Sequence, residues 1–205
     1  MERGVSVSDE GVVRCGWAVA PDEIRDYHDH EWGRPVVDDV RIFEKLCLEG
    51  FQSGLSWLTI LRKREAFRRA FANFDIQTVA RFGDDDVTRL LADAGIVRNR
   101  AKIEATIGNA RAVAGLEAGG DSLAALVWRH EPAPAPAPST LDDLAASTPD
   151  STALSKELRG RGLRFVGPTT VYAAMQSLGL VNDHMVGCHA RGPIEEARAA
   201  LVRPR

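Results

Sequence analysis

The chain has 205 residues, 44% of them apolar, which is enough for a true core in one domain or in two small lobes. A net charge of −3 excludes a global basic field, so any nucleic-acid partner must be met by local patches. No apolar run approaches the ~18 residues of a membrane span, the opening MERGVSVSDEG lacks the apolar stretch of a signal peptide, and three cysteines argue against a disulfide framework and for the reducing cytoplasm.

Residues 1–11 read as a flexible polar tail. Pro21 and the acids after it predict a short helix over Asp22 to His30, ended by Glu31-Trp32-Gly33. The stretch from Asp38 to Phe74 predicts two helices around a glycine elbow. In the first, Phe43, Leu46, Cys47 and Gly50 recur at helical spacing, Asp38 or Asp39 caps the start, and Gly50 and Gly54 act as breakers. The second begins near Ser56, turns Trp57, Ile60, Leu61, Phe67 and Phe71 inward, and exposes Arg62, Lys63, Arg64, Arg68 and Arg69. Cys47, on an apolar face, reads as a core residue.

Short helices follow from Asp75 and from Asp84–Asp86, closed by Gly83 and Gly95, and a longer amphipathic helix runs from Asn99 to about Gly115. PAPAPAP at 132–138 cannot pack a core and predicts a stiff surface loop of polyproline II character. Helices are predicted again over Thr140 to Ala146, over Thr148 to Arg159, and from Pro168 to Gly179. Two-residue alternation is nowhere sustained, so the reading is all-α.

Two constellations stand out. The turn GRGLRFVG (160–167) between helices has glycine at both ends and opens a helix N-terminus, where grouped backbone N–H donors suit a phosphate; Lys156, Arg159, Arg161 and Arg164 add positive charge. On spacing alone, an ordinary αα-corner is the plainer reading. Near the two ends of the chain lie Cys15 with His28 and His184 with Cys188, two cysteines and two histidines, which is a closed structural zinc set. His30 and His189 compete for a place in it, and buried cysteines beside surface histidines are the plainer alternative.

CGW (15–17), YHDHEWG (27–33), FEKLCLEGFQSGLSW (43–57), GLRFVGPTTVYAAMQSLG (162–179) and LVNDHMVGC (180–188) together resemble the 3-methyladenine DNA glycosylase I family of helix-hairpin-helix glycosylases, from about residue 12 to 189. The resemblance implies a two-lobed all-α glycosylase domain over 12–191 with a tail at 192–205. It implies structural Zn2+ on Cys15, His28, His184 and Cys188, and alkylated double-stranded DNA as partner of a monomer, with no membrane. The implied reaction flips out 3-methyladenine and hydrolyses its glycosidic bond, releasing the free base without a lyase step.

The family pattern casts Glu49 and Tyr27 as the catalytic pair contacting the base, with Trp57 stacking on it and Trp17 walling the pocket. Leu55, after Gly54, matches the wedge that enters the gap left by the flipped nucleotide, and Arg164, Phe165, Gly167 and Thr169 match the hairpin that holds the backbone. Ile24 departs from the pattern where an aromatic is expected near the pocket. The slot of the superfamily's catalytic aspartate holds Asn182, and Asp183 reads as a cap or as a partner of His184 rather than as the base. Competing classes are a glycosylase-lyase, a Cys188–His184 hydrolase and a non-catalytic damage-binding module. The first needs a lysine nucleophile near the hairpin, where only Lys156 is available, and often carries a four-cysteine cluster that three cysteines cannot build.

Overall fold

A computed structural model describes residues 4–204. Ten α-helices are present among the described residues: α1 (Asp22–His30), α2 (Asp39–Gln52), α3 (Trp57–Ala70), α4 (Ile76–Ala80), α5 (Asp84–Ala92), α6 (Arg100–Ala118), α7 (Leu123–Trp128), α8 (Pro149–Gly160), α9 (Pro168–Ser177) and α10 (Arg191–Ala200). Their starts are set by short polar side chains that accept from the free N–H groups of the first turn. Asp38 accepts from Arg41, Ser56 from Thr59, Asp75 from Thr78, Asn99 from Lys102, and Thr148 from Ser151. Asp38 and Asp39 serve different helices: Asp39 caps α7, taking the N–H groups of Leu123 and Ala124 at 3.2 and 2.7 Å.

α2 is the spine, packing against α3, α6, α7 and α9. Phe51 meets Phe67 with ring centroids 4.6 Å apart, and Phe67, Phe71 and Phe74 extend the aromatic cluster, all of them fully buried. A smaller cluster of Cys15, Ala18, Met185, Cys188, Ala190 and Ile194 joins the two ends of the chain.

The helical reading holds for most of the chain, with one short sheet added and several boundaries moved. β1 (Val5–Val7), within the residues assigned to the N-terminal tail, pairs antiparallel with β2 (Val13–Cys15) just beyond it, with Val5 opposite Cys15. Most of the expected tail 192–205 is α10; residues 1–3 and 205 of the two tails lie outside the described residues. The helix expected over 140–146 is a single 3-10 turn, Leu141–Asp143. Gly50 does not break α2, which runs on to Gln52. It serves instead as a point of close approach, where an added Cβ would lie 3.2 Å from the Phe165 Cβ in the α8–α9 turn.

Gly179, at φ +78°, lets the chain after α9 pass against residues 33–35; a Cβ there would fall 2.6 Å from the Gly33 carbonyl oxygen and from Pro35 N. Both partners are backbone and cannot move aside cheaply. Gly179→Ala should therefore cost about 3 kcal/mol or more of stability, read as a lowered urea midpoint with an unchanged slope.

Candidate functional site

An open cleft enclosing about 660 Å³ is lined by Trp17, Tyr27, Trp32, Glu49, Trp57 and Gln176 among others. α1 supplies Tyr27, α2 supplies Glu49, α3 opens with Trp57, and α9 supplies Gln176. Glu49 is only 6% exposed, an unusual place for a glutamate. Tyr27 lies against Trp57 with centroids 5.3 Å apart, and Trp17 stands edge-on to Trp32 at 4.9 Å. The indole N–H of Trp57 is buried without a hydrogen-bond partner. Sequence reasoning thus brought Glu49, Tyr27, Trp57 and Trp17 to one place. Ile24 is half-buried and is not among the residues lining the cleft.

Lys45 was missed. One turn before Glu49 on α2, its ammonium lies 3.0 Å from Glu49 Oε1 and donates to Tyr27 Oη at 2.5 Å. It also sits 3.7 Å from the Trp57 ring centroid, a cation–π contact. Lys45 lines a second, much tighter cavity, which shares Tyr27 and Trp57 with the cleft; these two rings form the partition, with Glu49 on the cleft side. Burial opposes the charge on Lys45, but Tyr27 and Glu49 facing it outweigh burial and hold its pKa above the usual lysine value. Burial likewise raises the Tyr27 phenol, which stays neutral at pH 7. The sequence signal was the i, i+4 spacing of Lys45 and Glu49, ordinarily a surface pair.

Behind Trp17 and Trp32, four buried side chains converge: Cys15, His28, His184 and Cys188, with ligand atoms all within 4.8 Å of one another. His28 Nδ1 is tied to Asp29 Oδ1 at 2.8 Å and His184 Nε2 to the Trp32 carbonyl at 3.1 Å. Each histidine therefore spends its N–H outward and turns its other nitrogen inward, where His28 Nε2 and His184 Nδ1 face each other at 3.1 Å. Two lone pairs so placed repel unless a cation or proton lies between them. Cys188 Sγ is 3.5 Å from both nitrogens and Cys15 Sγ is 3.8 Å from His184 Nδ1. A tetrahedral zinc would set such edges at about 3.3 Å between nitrogens and about 3.5 Å between nitrogen and sulfur, so the donor set fits a metal ion. The hydrogen bond between the two thiols, together with burial, pushes the Cys15 thiol up, and the same hydrogen bond draws the Cys188 thiol down.

His30 and His189 are not in the set. His30 meets the Asp26 carbonyl on the surface, and His189 shares Asp29 Oδ1 with His28, at 3.0 Å. Asp29 also takes a bidentate grip from Arg14 of β2, at 2.8 to 3.1 Å. Cys47 is a core residue, its thiol pushed up by burial.

The expected DNA-facing residues form two exposed points. Leu55 is 41% exposed beside Gly54, and it is held in place because Gln52 accepts its N–H through the backbone and donates to its carbonyl from the side chain, both at 2.7 Å. Lys102 secures the same elbow by donating to the carbonyls of Phe51 and Ser53 at 2.9 and 2.6 Å. In the α8–α9 turn, Arg164 is exposed, Phe165 is 38% exposed and Gly167 is the N-cap of α9, in whose first turn Thr169 is exposed. The Arg164 backbone is clamped by Asn109, whose side chain both donates and accepts.

Asn182 is turned away, bonded to the Arg191 carbonyl and Glu195, and it is the residue whose Oδ1 meets the His184 N–H. Asp183 is not the partner of His184; its Oδ2 accepts from Tyr172 and Gln176 at 2.7 and 2.8 Å.

A family model described as methyladenine glycosylase matches residues 17–191. DNA-3-methyladenine glycosylase 1 of Escherichia coli K12 is 49% identical over 178 residues, 85% of this chain and 95% of that protein. A crystal structure of 3-methyladenine DNA glycosylase I superposes with a TM-score of 0.84 at 46% identity, covering 87% of this chain and 99% of that one. A variant of 3-methyladenine DNA glycosylase I solved in complex with 3-methyladenine gives a TM-score of 0.82 at 32% identity, covering 87% and 97%.

The Asp29 carboxylate is mostly buried. Burial resists its charge, but Arg14, His28 and His189 together hold its pKa below the ordinary 3.8. Its stabilising contribution is thus complete above that value and is lost as pH falls through the depressed one. Asp29→Asn should lose about 3 kcal/mol at pH 7 by leaving Arg14 without its partner. The gap in melting temperature from the parent should narrow below pH 3.8.

Proposed function

The chain belongs to the methyladenine glycosylase family, and we propose that the cleft between Trp17, Tyr27, Glu49 and Trp57 is where it holds the extruded base. The reaction is base-excision repair: removal of 3-methyladenine from DNA by hydrolysis of the N-glycosidic bond. Methylation at N3 leaves the purine cationic while it is attached. When the C1′–N9 bond breaks, its electron pair passes to N9 and the base departs neutral. Water bonds to C1′ and releases one proton, leaving an abasic sugar.

The observation that carries the assignment is Glu49, a buried carboxylate open to an aromatic cleft. It accepts from the exocyclic amine of the base by a charge-assisted bond, Tyr27 meets a ring nitrogen, and Trp57 offers its cleft face for stacking. Asn182 and Asp183 are both committed to protein partners. We therefore assign the reaction to the lability of the cationic nucleotide and the electrostatics of the pocket, with no lyase step. Extrusion, at a cost of a few kcal/mol, is assisted by Leu55 entering the stack behind Gly54. The helix-hairpin-helix unit of α8 and α9 holds the phosphates through Arg164, Phe165, Gly167 and Thr169; exposed side chains at a helix N-terminus support this reading.

Cys15, His28, His184 and Cys188 would hold a structural Zn2+, which on binding supplies four bonds and no open position for substrate. This chain's part is to orient the histidines, through Asp29 and the Trp32 carbonyl, and to back the aromatic wall. Metal analysis of the purified protein should find one zinc per chain, and chelation should lower the melting temperature by ten degrees or more. Metal-free protein with an unchanged melt would remove the assignment.

Incubation with methylated duplex DNA, followed by chromatography of the released bases, should yield 3-methyladenine. Glu49→Gln should slow that release at least 100-fold, about 2.7 kcal/mol of transition-state stabilisation, with the melt little changed. Unaltered release would take Glu49 out of the pocket.

A further inference from the structure

We infer that Lys45 is a positioning residue for base excision, whose ammonium behind the Tyr27–Trp57 partition orients both base contacts and drives the bound purine toward its neutral, departing form. The inference rests on the cleft being the base pocket, and it deepens that reading.

An ammonium has donors and no acceptor. Bonded to Tyr27 Oη at 2.5 Å, Lys45 occupies a lone pair of the phenol, so the phenolic hydrogen must point elsewhere and Tyr27 acts as a donor toward a ring nitrogen. Bonded to Glu49 Oε1 at 3.0 Å, Lys45 fixes the carboxylate rotamer and leaves Oε2 to accept from the exocyclic amine. One cation thereby sets the donor and acceptor polarity of the two groups that recognise the base.

Its charge has a second effect. Lys45 Nζ lies 3.7 Å from the Trp57 centroid, on the side of the second cavity. A base stacked on the cleft side, with rings offset by about 4.5 Å, would therefore sit roughly 8 Å from that charge, separated from it by an indole ring rather than by water. While the purine is a cation, it is repelled. As the C1′–N9 electrons move onto N9, the positive charge passes from the stacked ring to the sugar at C1′ and the repulsion on the base is relieved. The interaction is worse in the ground state than in the transition state, which is the condition for raising the rate and not merely tightening binding.

The test uses the full-length protein and 3-methyladenine-containing duplex DNA under single turnover, with Lys45→Met, Lys45→Gln and Lys45→Arg. Gln keeps a hydrogen-bond donor without charge, and Arg keeps the charge. Both neutral variants should excise at least tenfold more slowly than the parent, with half-saturation within twofold; Arg should stay within threefold of the parent. A neutral variant within threefold of the parent, a folded Arg variant as slow as Met, or a loss seen only in half-saturation overturns the role. Should both neutral variants fail to fold by thermal melt, the Arg variant decides: parental rate supports the role and a tenfold loss overturns it. A parent that releases no 3-methyladenine overturns the pocket reading itself, whereas a parent that releases it while neutral variants match its rate overturns Lys45 alone.

Discussion

Closure of the chain on itself is the constraint from which the site follows. Donor atoms at positions 15, 28, 184 and 188 meet inside one small buried cluster, although more than 150 residues of sequence separate its halves. Bringing those ends together orders a long loop, a cost that grows slowly with length but must still be offset locally. The Arg14–Asp29 fork, the hydrogen bond from His184 to the Trp32 carbonyl and the apolar seam of Met185 and Ile194 provide that compensation. Trp17 and Trp32 stand edge-on against the clustered histidines and line the cleft with their other sides, so the rigidity of the seam becomes the shape of the pocket wall.

The helical frame was largely legible because its starts are written in side chains. Ser56, Asp75, Asn99 and Thr148 each lie where a first-turn N–H needs an acceptor, and each makes that bond. What escaped had no local signal. The strands of the N-terminal hairpin are three residues long, too short for alternation to register, and they hold because β2 is anchored from outside by the grip of Arg14 on Asp29. α7 is buried on every side and so has no polar face to give it a period. α10 buries only Ile194; it is held by Arg198 reaching the carbonyls of Gly179 and Leu180 and by the partnership of Arg198 and Arg203 with Glu131.

The same distinction runs through the site. Glu49, Tyr27, Trp57 and Trp17 were legible through family resemblance, because each belongs to a contiguous motif. Lys45 lies in that very motif and yet reads as half of an ordinary helical ion pair. Its meaning depends on the two aromatic rings brought by α1 and α3, one of them from the other side of the elbow. Gly50 shows the same dependence: read along the chain it is a helix breaker, but in space it is the gap that admits Phe165.

The elbow after α2 has a consequence of its own. Gln52 holds both the amide and the carbonyl of Leu55, and Lys102 gathers the carbonyls of Phe51 and Ser53, so the leucine tip projects from a backbone with few torsions left to freeze. In the wedge role proposed above, such a tip would meet the double helix as a stiff probe rather than a loose finger. Its entropy would be surrendered once, as the polypeptide acquires its shape, and not again at every nucleotide inspected. Testing a base pair would then ask only the DNA to deform.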